Sequence, residues 1–295
     1  MYIERLILGE VYGEAYRHFQ AILGYGELVK TCEDLKDQPE LTKLRPNLDG
    51  IDPDDAFSRI PYEKGFLMLF YLETLVGKEK MIEWLQSYFN KFIKQSLTSE
   101  DMKESFINHF KDYKTEKTQG KDWNAIFEHW FYCVGLPEFN PLPHLDQSLN
   151  SACDHLTIVW KDKNGEGASA NDVKWDAHQT MVLLDNLLNT ALPMKHDVLK
   201  KMDELYNLTN GNNVEVVFRW HMLCLQSNYI GLLPQLEVFL SKHGRGVYVK
   251  PLYKQLIKMG TENVIPFTKV VEIYKKNRSY YHSVIRNTFD AQLNK

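Results

Sequence analysis

The sequence is poor in cysteine. Cys32, Cys133, Cys153 and Cys224 are its four, and no two form a CxxC pair. That spacing excludes a zinc ribbon and a dense disulfide framework, and it suits reduced thiols in a core. Long hydrophobic runs are also missing. The longest, 65–71, is far below the ~18 residues a bilayer span requires. Glu4, Arg5 and Glu10 stand where a signal peptide would be apolar. No membrane partner is expected, and the chain reads as cytoplasmic. No Lys/Arg block is present: 35 basic residues face 39 acidic ones for a net charge of −4, which gives no electrostatic case for nucleic acid. None of the ten histidines is followed by Glu with a second His four positions on, so the chain lacks the HExxH spacing that sets two metal ligands and a general base on one helix. Gly244-Arg245-Gly246 lacks the strand-to-helix context of a phosphate loop.

Apolar material is plentiful. At 44% hydrophobic content, 295 residues can bury a sizeable core in one or two domains. Met81, Trp84, Leu85, Tyr88, Phe89 and Phe92 recur at i, i+3, i+4, i+7, i+8 and i+11, which only a helix gathers on one face. Thr98 with Asp101 offers a cap for a following helix whose inner stripe is Met102, Phe106 and Phe110. The polar stretch 111–121 reads as a solvated loop, and Pro141 and Pro143 interrupt any helix over 139–144. Beyond it, apolar stripes predict helices over 172–189, 196–206, 214–226, 236–243, 252–259, 266–276 and 280–293, without a sequence repeat of fixed period. Trp84, Trp123, Trp130 and Trp220 fall in phase with these stripes and read as core. The expected fold class is all-α.

The segment from Ile51 to Glu73, IDPDDAFSRIPYEKGFLMLFYLE, places an acidic turn, a proline-fixed tyrosine and an apolar helix in succession. Pro61 is well tolerated in the first turn of a helix and fixes φ there, so Tyr62 should sit at a rigid helix entrance. A phenol so placed can donate a hydrogen bond to a developing oxyanion without ionising. The plainer account is a ring that packs and a hydroxyl that stays wet.

This segment resembles the PYEKG region of the M1 family of zinc aminopeptidases, in the branch that holds leukotriene A4 hydrolase and aminopeptidase B. The resemblance extends along nearly the whole chain. Tyr2-Ile3-Glu4-Arg5, Tyr16-Arg17-His18-Phe19-Gln20-Ala21 and Gly24-Tyr25-Gly26-Glu27-Leu28 resemble the helix after the family's last zinc ligand. Asp122-Trp123-Asn124-Ala125 and Gly135-Leu136-Pro137 resemble the exit from the catalytic domain. Phe218-Arg219-Trp220, Gly244-Arg245 and Lys250-Pro251-Leu252-Tyr253-Lys254 resemble the C-terminal domain. It implies the helical part of a thermolysin-like catalytic domain over 1–134, a proline-rich linker over 135–147, and an α-solenoid (HEAT/armadillo-like) domain over 148–295. It also implies that the zinc ligands and the GxMEN segment fall before Met1. Zinc is then the cofactor of the complete family enzyme and is not expected on this chain alone.

Carried over residue by residue, the resemblance makes Tyr62 the proton donor to the tetrahedral intermediate, worth ~3 kcal/mol of barrier. Glu4 would orient a zinc-bound histidine; the plainer account is a solvated carboxylate. Asp54 matches a pocket aspartate that directs water in the leukotriene hydrolase, against a cap or Asx-turn after Pro53. Phe57 stands where that enzyme has a second tyrosine. Arg245 would reach into the cleft and take the substrate carboxylate with its planar guanidinium, the flanking glycines easing its approach. Val247 replaces the family's neighbouring lysine, which counts against leukotriene A4 and leaves short peptides as substrates.

Two functions follow. The chain is the C-terminal part of a zinc aminopeptidase, inactive alone, or it is a helical scaffold that binds peptides or partner proteins. An apolar stripe of Ile3, Leu6, Ile7 and Val11, which needs a packing partner, favours the first.

Overall fold

The computed structural model describes residues 1–113, 116–120, 122–172 and 175–293. Fourteen α-helices and five short 3₁₀ turns account for the regular structure among these residues, with no strand, so the all-α expectation holds. The chain divides into two compact units, Met1–Leu149 and Asn150–Lys295.

The first unit contains α1 (Tyr2–Tyr12), α2 (Glu14–Asp34), α3 (Ile60–Val76), α4 (Lys78–Lys91), α5 (Ser99–His109) and α6 (Trp123–Tyr132). Single glycines join α1 to α2 and α3 to α4. Gly13 and Gly77 hold φ at 95° and 91°, left-handed values that a side chain resists, and so reverse the chain in one residue. The unit closes around α3, whose Ile60, Phe66, Leu67, Phe70, Leu72 and Val76 are all buried. Each such side chain contributes roughly 1.5–3 kcal/mol. Met81 and Trp84 are buried on α4, whereas Phe89 lies 53% exposed. α5 starts with the expected capping box between Thr98 and Asp101. Trp123 is only half-buried and packs against the core from its margin, its indole N–H donating to the carbonyl of Phe110 at 3.2 Å. On α1, Leu6 is buried while Ile3, Ile7 and Val11 are exposed. Phe139 packs on Tyr71 and Trp130 of the same unit.

The second unit runs through α7 (Ser148–Asp162), α8 (Ala177–Thr190), α9 (His196–Tyr206), α10 (Val214–Gln226), α11 (Leu233–Lys242), α12 (Gly246–Thr261), α13 (Phe267–Asn277) and α14 (Ser283–Leu293). Val173 and Lys174, at the start of the expected 172–189 helix, lie outside the described residues; α8 begins at Ala177, capped by Asp176. α10 packs on α8 and α12, and α13 packs on α11, α12 and α14. Each helix buries one stripe. On α9 it is Val198, Leu199 and Met202, while Lys200 faces water, Lys201 reaches the carbonyl of Gly165 at 2.6 Å and Asn207 ends the helix in the left-handed region. α12 begins six residues earlier than its stripe suggests and carries Pro251 inside. Pro251 is the sixth residue of α12, where its missing N–H leaves the Val247 carbonyl without its i+4 donor, a loss that the buried stripe of Tyr248, Val249, Leu252 and Tyr253 outweighs.

Candidate functional site

Three features fix the entrance of α3. The acidic turn before it is held by Asp52, whose carboxylate accepts the N–H of Asp54 at 2.9 Å and whose carbonyl accepts those of Asp55 and Ala56 at 3.0 and 3.2 Å. Ser58 Oγ then accepts from the N–H of Ile60 at 3.2 Å, and Pro61 stands in the first turn. The two residues after Tyr62 are anchored in the interior. Glu63, 2% exposed, faces Arg5 at 2.8 Å. Lys64 has no exposed surface, and its ammonium donates to the carbonyls of Thr42, Cys133 and Gly135 at 2.8, 2.6 and 2.9 Å. All three N–H groups are thereby used, while burial pulls its pKa down.

Tyr62 therefore projects from a helix turn that is pinned on either side of it. It is 40% exposed, and the ring of Phe57 meets it edge-on at 6.0 Å and 77°. The tyrosine borders a recess of about 340 Å³ whose other walls include Leu44, Arg45, Phe66 and Met102. A half-exposed phenol beside an apolar recess can donate one hydrogen bond to a ligand oxygen.

The other expected residues are placed as follows. Phe57 is 70% exposed and in contact with Tyr62. Asp54 is exposed, and its carbonyl accepts the N–H of Phe57 at 3.4 Å. The Asx-turn belongs to Asp52 instead, because the carboxylate two residues ahead of a free N–H is the one that can reach it. Glu4 projects outward from α1 with its side chain 60% exposed, 3.9 Å from the amino group of Met1. Asp54, Phe57 and Tyr62 thus share one turn and its helix entrance, and Glu4 lies on a separate helix.

Arg245, in the second unit, is exposed and caps α12 with φ −68° and ψ 134°. Its guanidinium carbon lies 5.6 Å from the ring centre of Tyr248. The Tyr248 hydroxyl donates to Glu215 at 2.5 Å, Glu215 pairs with Arg219 at 2.9 Å, and Arg219 grips Asp185 at 2.9 Å. Hydrogen bonds from Tyr248 and Arg219, with the charges of Arg219 and Arg245, outweigh desolvation and lower the Glu215 pKa. This chain of contacts orients the aromatic platform under Arg245. Gly244 and Gly246 keep negative φ and have only distant neighbours, so neither is required by the backbone.

Sequence reasoning missed the buried charges. Tyr2 and Arg17 both donate to Glu73, and Arg17 also pairs with Glu14 at 2.7 Å. Arg5, 3% exposed, lies 4.1 Å over the ring of Phe66. Arg5 falls between Tyr2 and Leu6 in the inward phase of α1, a signal that was readable.

The zinc implied by the resemblance has no matching donors. The sequence holds no HExxH, and among the described residues no three His, Cys, Asp or Glu side chains are grouped to hold a metal. The residues present do not fit that ion. Among the described residues no helix is long and apolar enough to cross a membrane.

Comparison with known proteins bears on what this geometry serves. Residues 1–130 match the Peptidase family M1 domain. Residues 175–293 match the leukotriene A4 hydrolase C-terminal domain. Leucine aminopeptidase 2 of Neosartorya fischeri is 36% identical over 297 residues, which cover 99% of this chain and 46% of that protein. Leucine aminopeptidase 2 of Emericella nidulans is 36% identical over 298 residues with the same coverage. The chain thus spans about half the length of the curated relatives it matches. Native leukotriene A4 hydrolase from Saccharomyces cerevisiae superposes with a TM-score of 0.85 at 27% identity, covering 100% of this chain and 48% of that one. A yeast leukotriene A4 hydrolase in complex with bestatin superposes at 0.78.

Proposed function

We propose that this chain is the C-terminal portion of an M1-type aminopeptidase of the leukotriene A4 hydrolase branch, and that it supplies substrate-contacting groups without supplying the metal site. In this reading Tyr62 donates a hydrogen bond to the oxygen of the peptide carbonyl as that oxygen gains charge. Arg245 takes a peptide carboxylate with two parallel N–H bonds. Phe57 packs the phenol edge-on and limits its swing, and Asp54 supplies a solvated carboxylate beside it. Glu4 would orient a histidine held by the metal in the complete enzyme.

The observation that carries this reading is the fixing of Tyr62. The phenol is half-exposed on a helix turn whose next two residues are buried charges with fixed partners. Donors aimed in advance at an oxyanion cost no reorganisation when charge develops, and such rigidity is more than a packed ring needs. The chain's match to the M1 domain over 1–130 supports it further. A second reading of the chain on its own is a helical scaffold that binds peptides; among the described residues no metal donor set is grouped. One experiment tests the claim, common to both readings, that this chain supplies no metal site. The purified chain, given zinc, should hold less than stoichiometric metal and show no turnover of alanyl or arginyl p-nitroanilide. Stoichiometric zinc with turnover would contradict the proposal.

A further inference from the structure

His221 has no part in the proposed function. It lies on α10 at 1% exposure, and neither of its ring nitrogens has a hydrogen-bond partner. A neutral imidazole offers one donor and one acceptor, and buried polar atoms left unpartnered are uncommon and costly. The ring of Phe239 stands perpendicular to it at 5.1 Å, which gives one N–H at most a weak contact with a π face. The acceptor nitrogen gains nothing from that contact.

His221 lines a recess of about 460 Å³ in the second unit, between the 209–212 loop with the start of α10 and the outer face of α11. That volume lies within the range of small-ligand sites, ~300–1,000 Å³. Val217, Val238 and Phe239 give it an apolar side. Lys242 stands at its edge, and none of the lining residues is a carboxylate. Lys242 is exposed and makes no ion pair or side-chain hydrogen bond among the described residues. Arg245 and Tyr248 are not among the lining residues, so the recess is separate from the role assigned to Arg245. His221 is 1% exposed and forms the floor of the recess, where a 180° rotation of the imidazole, exchanging its carbon and nitrogen edges, would turn a nitrogen toward a ligand.

We propose that this recess binds the C-terminal residue of a short apolar peptide. The free carboxylate meets Lys242, the last amide N–H donates to the acceptor nitrogen of His221, and an aliphatic side chain packs on Val217, Val238 and Phe239. The three chemistries are those of the recess: one unpaired cation, one unpaired acceptor and an apolar wall. This inference does not depend on the aminopeptidase reading.

The test uses the full chain, with N-acetyl-L-alanyl-L-leucine as probe and its C-terminal amide as the uncharged control. Binding is followed by calorimetry and by the ring ¹⁵N resonances of His221. The acid should bind saturably and shift the His221 resonances, and the amide should bind about tenfold more weakly, the loss expected when a charged hydrogen bond is removed. Lys242→Gln should reduce affinity for the acid to the level of the amide. Val238→Trp, at a position 51% exposed, should block the recess while leaving the core and the melting curve unchanged. Equal affinity for acid and amide, His221 resonances unmoved at saturation, or undiminished binding in Val238→Trp would each overturn the proposal.

Discussion

Burial pulls the pKa of His221 down to about 4, from an ordinary value near 6.5. The unfolded chain takes up a proton as pH falls through ~6.5, while the folded chain refuses it until ~4. The stability that this residue protects is therefore complete above ~6.5 and is lost as the medium is acidified toward 4, on the order of 3 kcal/mol in all. Urea denaturation at pH 7 and pH 4.5 should show that His221→Leu loses about 2 kcal/mol less on acidification than the parent. Equal losses would mean that His221 is not held neutral by the fold. His221 was not legible as a special residue, because nothing in the sequence says that burial beside Phe239 of α11 leaves it without a donor or acceptor. Tyr62 and Phe57 were legible, since the turn, the proline and the apolar helix that position them are contiguous. Lys64 was not, because two of its three carbonyl partners lie about 70 residues downstream.

Among elements, the tightest junction joins α1, α2 and α3. At Gly24 of α2, a Cβ would fall 2.1 Å from both Arg5 Nη2 and Glu63 Oε2. Both of those atoms are the buried ends of one ion pair at 2.8 Å, so Gly24→Ala should push it apart. Uncoupling a buried pair costs about 3–5 kcal/mol. Gly26, two residues along the same helix, has nothing within 4 Å and no positive φ, so Gly26→Ala should stabilise by about 0.5–1 kcal/mol. Thermal melts of the two variants should move in opposite directions, and a Gly24→Ala melt within a degree of the parent would refute the packing account. Signals carried by adjacent residues, such as the Thr98–Asp101 capping box and the Met81–Trp84 stripe, were readable in advance. The start of α12 was not, because Pro251 reads as a helix boundary when it stands alone, whereas tertiary packing carries the helix through it.

For the molecule as a whole, the core of the second unit draws only on residues from Leu156 to Leu293, with Ala168 and others packed against it. Residues 148–295 expressed alone should consequently give a helical circular-dichroism spectrum and one cooperative melt. A non-cooperative or unfolded fragment would show that this core is not self-sufficient. The all-helical class was legible from periodicity; Pro141 and Pro143 were read as marking a linker over 135–147, and the two compact units divide between Leu149 and Asn150. The central claim is that Tyr62 is a positioned hydrogen-bond donor. It is tested most directly by kcat for Tyr62→Phe in an active chimera that joins this chain to the remaining part of the Neosartorya fischeri leucine aminopeptidase 2. A fall of about 10²–10³ in kcat is expected, as for loss of one oxyanion donor. A variant that keeps the parent kcat would contradict it.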